Sequence, residues 1–295
     1  MTQTTTDMTT HTLEVPGAVL TYDVRPSDGS TQPPLLIIGS PMGASGFVTL
    51  AGHFPDRTVI TYDPRGAERS KRTDNASQST PDEHADDLHR IISELGAGPV
   101  DIFGSSGGAV NALVLVAKHP EDVRTLVAHE PPASDVLPDR EEALGTAKAI
   151  NQIYQRSGFG PAMAKFIALV SLEGPVPPGF ADQPPPDPAM FGLPNEDDGS
   201  RNDPLLGQNI VSGNAYQHDF DALQAASTHI VVGVGEDSGN QLAGRAGKAV
   251  AERLGMTPVT FPAGHDGFLG GEYGQTGKPD AFAAKLREVL DSNLA

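Results

Sequence analysis

Short apolar runs alternate with longer amphipathic stretches over most of the chain. Leu35–Ile38 is apolar at every position, follows Pro33-Pro34 and stops at Gly39. A run that short, with those flanks, suits a buried strand better than a helix. Thr58–Tyr62, Val100–Phe103, Thr125–His129, His229–Val234 and Thr257–Phe261 read as further strands, and Leu13–Val15 and Ala18–Val24 flank Pro16-Gly17 as the arms of a hairpin or meander. Between them lie segments of helical period. In Pro81–Leu95 the residues Ala85, Leu88, Ile91, Ile92 and Leu95 form one stripe, with Thr80 at the N-cap, Pro81 at N1, Glu83 at capping-box spacing and Gly96 as the stop. Ala109–Ala117 is apolar almost all round and predicts a helix buried in the core. Gln241–Leu254 and Pro279–Leu290 complete the pattern. Strands alternating with helices predict an α/β fold around a mostly parallel central sheet flanked by helices. No internal repeat is present.

One stretch breaks the rhythm. Residues 131–226 contain no convincing strand, show helical patches near Arg140–Arg156 and Pro161–Leu172, and are rich in Pro, Gly and Asp from Gly174 to Pro204. The competing reading is a disordered linker between two domains. The chain beyond residue 226 is too short for a domain, and its strands would complete the earlier sheet. The expected organisation is therefore a disordered, threonine-rich tail over residues 1–12, a core of residues 13–130 and 227–295, and an inserted cap or lid over residues 131–226.

Composition narrows the function. The 295 residues include 38 Asp and Glu against 20 Lys and Arg, a formal net charge of −18. Nucleic acid and anionic membranes are poor partners for such a field. With no cysteine, thiolate nucleophiles, disulfides and Cys-ligated zinc are excluded. No apolar run approaches the roughly 18 residues of a membrane span, and no signal-peptide pattern precedes the first strand. The expected location is the cytoplasm. A homodimer through an apolar face of the cap stays open.

The chemistry is concentrated at Gly104-Ser105-Ser106-Gly107-Gly108, a G-x-S-x-G pattern with a strand before it and a helix after it. Small residues two positions either side of Ser106 let strand and helix pack closely around a sharp turn that lifts the hydroxyl out of the sheet. The turn aims the Gly107 N–H at the place where an oxyanion would form. The alternative is a glycine-rich turn or a phosphate loop; no lysine comes after it and no G-x-G-x-x-G is present. A serine hydroxyl needs a base and the base an orienting acid. His265, in a glycine-flanked loop after the last strand, is the preferred base. His84, His89, His119 and His218 are expected on solvated helix faces, and His129 and His229 in structural strand positions. Asp237 and Glu130 each stand just past a strand end, where catalytic residues of open α/β sheets gather. Both give the order nucleophile, acid, histidine.

Together these residues resemble the α/β-hydrolase superfamily, over most of the chain outside residues 131–226. Ser106 looks like its nucleophile elbow. Tyr62-Asp63-Pro64-Arg65-Gly66-Ala67-Glu68-Arg69-Ser70 is similar to its Y-D-x-R-G-x-G-x-S segment, with Glu68 in place of the second glycine, and Gly264-His265 is similar to its closing loop. The resemblance implies an α/β-hydrolase fold and acyl transfer to water through an acyl-enzyme. It implies a second oxyanion donor on the Ser40 amide; a shifted register would put it on Met42, which also counts among the substrate-binding candidates. The usual acid position falls on Ser238, one residue after Asp237, while some members place the acid where Glu130 stands. Asp237 is preferred, because loops absorb a one-residue shift. Tyr154, Phe159, Met163, Phe166, Phe180, Met190 and Phe191 are candidates to line an apolar pocket, or else form the cap's own core. The expected substrate is a small, hydrophobic ester or lactone, with no cofactor and no metal. A ligand-binding protein without hydrolysis, or an acyltransferase or perhydrolase using the same serine, are the alternatives.

Overall fold

Leu35–Ile38 forms a strand buried at all four positions, as a run without polar alternation must be when both faces of its sheet are covered. In the computed structural model, which describes residues 8–292, this strand lies inside a nine-stranded sheet. The strands are β1 (Thr9–Val15), β2 (Ala18–Arg25), β3 (Leu35–Ile38), β4 (Val59–Asp63), β5 (Lys71–Arg72), β6 (Val100–Ser105), β7 (Val123–His129), β8 (His229–Gly235) and β9 (Val259–Phe261). They run in the order β1-β2-β4-β3-β6-β7-β8-β9, with the short β5 paired to β2. β2 is antiparallel to β1, β4 and β5, and all pairings from β4 through to β9 are parallel. The helices are α1 (Val48–Gly52), α2 (Pro81–Leu95), α3 (Gly107–Lys118), α4 (Arg140–Ser157), α5 (Phe159–Val170), α6 (Ile210–Asn214), α7 (Phe220–Ala225), α8 (Leu242–Arg253) and α9 (Pro279–Asp291). Among the described residues no helix is long and apolar enough to cross a membrane.

Side-chain alternation along the strands divides the core. Leu36, Ile38, Ile60 and Ile102 pack with α2 and α3 on one face, while Leu35, Ile37, Val59 and Phe103 pack with α9 on the other. α2 begins with the full reciprocal capping box between Thr80 and Glu83 and ends at Gly96 with φ 59°. The hairpin turn at Pro16-Gly17 places Gly17 at φ 78°.

The start of the chain differs from expectation. Thr9–Thr12 are not a disordered tail but the first half of β1, paired with Val24 back to Thr21; β-branched threonine fits a pleated strand well. Of the rest of the proposed tail, Met8 is exposed ahead of the strand and residues 1–7 lie outside the described residues. Two histidines also differ. His84 and His218 are buried rather than solvated, and burial pushes both down to about 4. His84 Nε2 meets Asn209 Oδ1 at 2.8 Å, tying α2 to the segment between β7 and β8.

That segment holds no strand among the described residues. α4 and α5 build a cluster around Ile150, Tyr154 and Leu206 that is joined by Leu242 and Ala246 of α8. Its Pro-rich portion is tied down by a charge: the buried Lys165 ammonium donates to the carbonyls of Phe180 at 2.6 Å and Gln183 at 2.8 Å, and lies 4.2 Å from the Phe180 ring.

The sheet also contains a buried ionic cluster. Asp101 of β6 accepts from Arg57 at 2.6 Å and from Arg124 Nε at 2.8 Å, with Asp101 and Arg57 almost fully enclosed. Removing one partner of such a group leaves a buried charge uncompensated. Asp101→Asn is expected to cost about 3–5 kcal/mol in urea unfolding. Asp86→Asn, which breaks the exposed pair with Arg90, should change stability by under ~1 kcal/mol.

Candidate functional site

Strand β6 ends at Ser105 and α3 starts at Gly107, leaving Ser106 between them at φ 56°, ψ −128°. Positive φ is uncommon for a residue with a side chain and stores on the order of 1–3 kcal/mol. The surrounding glycines explain how the turn is held. A Cβ on Gly104 would stand 3.0 Å from the Gly108 carbonyl oxygen, and one on Gly108 would stand 2.6 Å from the Ile38 carbonyl oxygen. A Cβ on Gly107 would overlap the Ser40 carbonyl oxygen. The elbow is thus in backbone contact with the loop after β3, which brings Ser40 beside Gly107. Among the described residues neither the Gly107 nor the Ser40 amide has a hydrogen-bond partner, nor does the Ser106 hydroxyl.

Glu130 directly follows β7 and is also left-handed, at φ 48°. Its side chain is fully buried. Both carboxylate oxygens are engaged: Oε1 accepts from the Gly235 N–H at 2.8 Å, and Oε2 lies 2.7 Å from His265 Nδ1. Burial alone would raise the Glu130 pKa, but the His265 hydrogen bond and charge outweigh it and hold the carboxyl at about 2. For His265, burial works against the charged form, and the Glu130 carboxylate overrides it, so its pKa lies above the ordinary histidine value. The neighbouring His129 ring lies 6.1 Å from that of His265, and burial pushes it down to about 4. A neutral His129 adds no competing cation near neutral pH.

The structure does not bring Asp237 to His265. The Asp237 side chain is 64% exposed and lies 3.7 Å from Lys278 Nζ, while its amide donates to the Ala263 carbonyl. The next residue, Ser238, is the one that turns inward and is buried near Gly235 and Gly264. The one-residue displacement is therefore not absorbed by the loop; it turns the carboxylate out to solvent.

Ser106, Gly107, Ser40, Glu130 and His265 all line one cavity of about 370 Å³. Its apolar wall comes from Phe166, Leu169, Val170, Leu205, Ile210 and Leu242. Of the aromatic and methionine candidates only Phe166 is in that wall. Tyr154 is buried in the cluster of α4 and α5, where its hydroxyl accepts the Asp203 N–H at 2.9 Å. Phe159, Met163 and Phe180 pack into the same cluster. Met42 packs against the cluster under α9, and Met190 and Phe191 are exposed. Apart from Phe166 the wall is aliphatic, because the inner face of this segment is made mostly by leucine, valine and isoleucine, leaving its other rings to fill its own core. Sequence reasoning missed Asn111, Asn209 and Asn214, which also line the cavity. Asn111 had a signal: it is the one polar residue inside the apolar run Ala109–Ala117.

The match to known proteins agrees with this architecture. Residues 33–159 match the alpha/beta hydrolase fold family. The protein named uncharacterized hydrolase YraK from Bacillus subtilis (strain 168) is 40% identical over 121 residues, which is 41% of this chain and 44% of that protein. The chain spans less than half the length of the curated relatives it matches. Two solved structures share the fold. A thermophilic esterase from Thermogutta terrifontis has TM-score 0.67 and 21% identity, covering 98% of this chain and all of that one. The enol-lactonase from Burkholderia xenovorans LB400 has TM-score 0.66 and 16% identity, covering 95% and 99%. The chain has the α/β-hydrolase fold.

The coupling of Glu130 to His265 gives a direct expectation. In an NMR titration the His265 imidazole should lose its proton above the ordinary histidine value of 6.5. Glu130→Gln removes the group that favours the charged ring and leaves burial, so the midpoint should fall. Asp237→Asn should leave it in place. A His265 midpoint that tracks Asp237 instead would contradict the geometry.

Proposed function

We propose that this protein is a serine hydrolase that cleaves a carboxylic ester or lactone of a small, hydrophobic substrate through an acyl-enzyme. Ser106 is the nucleophile, His265 the base and Glu130, rather than Asp237, the orienting acid. The observation that carries this reading is that a serine on a left-handed elbow and a hydrogen-bonded glutamate–histidine pair face one cavity.

The chemistry rests on the groups in place. Glu130 holds Nδ1 of His265, which fixes the tautomer and leaves Nε2 as the nitrogen that exchanges protons. His265 takes the proton of Ser106 as the hydroxyl oxygen bonds to the substrate carbonyl carbon. The negative charge that develops on the carbonyl oxygen is met by the unpaired amides of Gly107 and Ser40. The imidazolium then gives its proton to the leaving alcohol, and water, deprotonated by the same histidine, releases the acid and restores Ser106. Among the described residues the Ser106 hydroxyl has no hydrogen-bond partner, and its bond to His265 forms on substrate binding, as is common for such pairs.

The aliphatic wall and the cavity size, near the lower end for small-molecule sites, support a small apolar acyl or alcohol group. The esterase and the enol-lactonase that share the fold point the same way. The residues between β7 and β8 act as the cap that closes this space, and the cytoplasm is the proposed setting.

Labelling with a fluorophosphonate probe, with the adduct located by peptide mass spectrometry, tests the reading. One adduct on Ser106, lost in His265→Ala, is the expected result; a folded protein that takes neither this probe nor a smaller one, and hydrolyses no short-chain aryl ester, would rule it out. On such an ester Ser106→Ala should lower kcat by about 10⁶-fold. Glu130→Gln should lower it by ~10⁴-fold, and Asp237→Asn by only a few-fold. The pH profile carries a sign. His265 must be neutral to act as base, so activity should fall as pH drops through its raised pKa, with the acid limb centred above 6.5.

A further inference from the structure

Two histidines and an aspartate meet at the far end of α3 from Ser106. His89 lies in the second half of α2, His119 is the residue at which α3 ends, and Asp122 closes the tight turn Pro120–Asp122 that leads into β7. The rings of His89 and His119 stack with centroids 3.9 Å apart and planes 13° apart. His89 Nδ1 lies 2.6 Å from Asp122 Oδ2. One donor atom from each of the three residues lies within 4.8 Å of the other two. All three are partly exposed, and none takes part in the proposed hydrolysis.

We propose that His89, His119 and Asp122 form a binding site for a divalent transition ion of the zinc class. Two imidazole nitrogens with one carboxylate oxygen are a donor set that zinc-like ions accept and that the oxygen-seeking Mg²⁺ and Ca²⁺ do not favour. At metal–ligand distances of ~2.0–2.1 Å, tetrahedral donor atoms stand roughly 3.4 Å apart. The present separations, within 4.8 Å, are wider than that, so the side chains would close in on the ion. Glu121, whose Oε1 is 3.4 Å from His119 Nδ1, or a water supplies the fourth ligand. A simple structural tie between His89 and Asp122 would not need a second imidazole stacked on the first. That arrangement keeps two imidazoles side by side, where one dication could be held by both. Glu14, Asp86, Glu94 and Arg90 line the same surface hollow; Arg90 pairs with Asp86, and the two remaining carboxylates leave a net negative charge that favours a cation.

The ion would join α2 to the corner between α3 and β7. The twelve residues of α3, at ~1.5 Å each, separate it from the elbow by about 18 Å. Its role is therefore to brace the fold and not to take part in the reaction.

The test uses the full chain without an affinity tag, stripped with a chelator and titrated with Zn²⁺ against a chromophoric competitor. One saturable ion per chain is expected, together with a rise in Tm that Mg²⁺ and Ca²⁺ at the same concentration do not produce. His89→Ala and His119→Gln should each weaken Zn²⁺ at least tenfold, with circular dichroism showing that both variants fold. Asp122→Asn provides a third variant. His53→Ala, which removes a histidine elsewhere on the surface beside Asp280, should leave affinity unchanged. Zn²⁺ binding that is absent, or that is the same in all the folded variants as in the parent chain, would overturn the proposal.

Discussion

The site depends on how little space lies behind Ser106. A side-chain-bearing residue at positive φ persists only where its neighbours leave it no alternative, and here three glycines let strand, helix and the loop after β3 touch through their backbones. The constraint reaches further than the elbow. Ser105 is in register with His129 across β6 and β7, and the Ser106 N–H donates to the His129 carbonyl. The next residues along each strand, Ser106 and Glu130, are both left-handed. Two adjacent parallel strands therefore end at the same level, each in a residue of positive φ. That places a hydroxyl and a carboxylate at one edge of the sheet, with His265 delivered from the loop after β9.

Placing a carboxylate at full burial is costly unless each oxygen is satisfied. Glu130 meets that condition with the Gly235 amide on one oxygen and His265 on the other. The same geometry suits a serine at position 238. Ser238 is buried close to Gly235 and Gly264, in the loop just after Gly235, whose amide contacts Glu130. A second carboxylate there would face the first in a poorly hydrated space, and like charges so placed raise one another's pKa. One acid and one neutral side chain keep the charge on the group that touches the histidine.

Much of the frame was legible because it is written locally. Leu35–Ile38, the capping box at Thr80 and Glu83, and the small residues around Ser106 each specify their own conformation. The choice between Asp237 and Glu130 was not local. Both stand after strands, and their order in the chain is the same; only the parallel register of β7 and β8, and the direction in which residues 237 and 238 turn, separates them. The cavity wall was hidden for a related reason. Large rings such as Tyr154 and Phe180 look like lining residues in a sequence, but a segment without a strand must first build a core of its own, and those rings are spent on it. Lys165 gives no outward sign that its ammonium binds two backbone carbonyls. The Thr-rich start reads as disorder by composition, yet pairs as a strand because β2 offers it a complete edge.

Glu68, which stands where the resembled segment has glycine, shows how a strained position can take on a new role. The backbone there is at φ 44°, where glycine would be unstrained and a side chain costs on the order of 1–2 kcal/mol. The carboxylate uses its position. It accepts the Gly43 N–H at 3.2 Å, the Ser45 hydroxyl at 2.7 Å and the Tyr273 hydroxyl at 3.2 Å. The buried Asp63 holds the same stretch by accepting the Ala44 N–H at 2.9 Å. Glycine would relax the backbone and lose all three of the Glu68 contacts. The loop they hold begins with Ser40, whose backbone packs on Gly107. Strain at Glu68 is thus coupled to the position of the second amide at the cavity, through a loop only a few residues long.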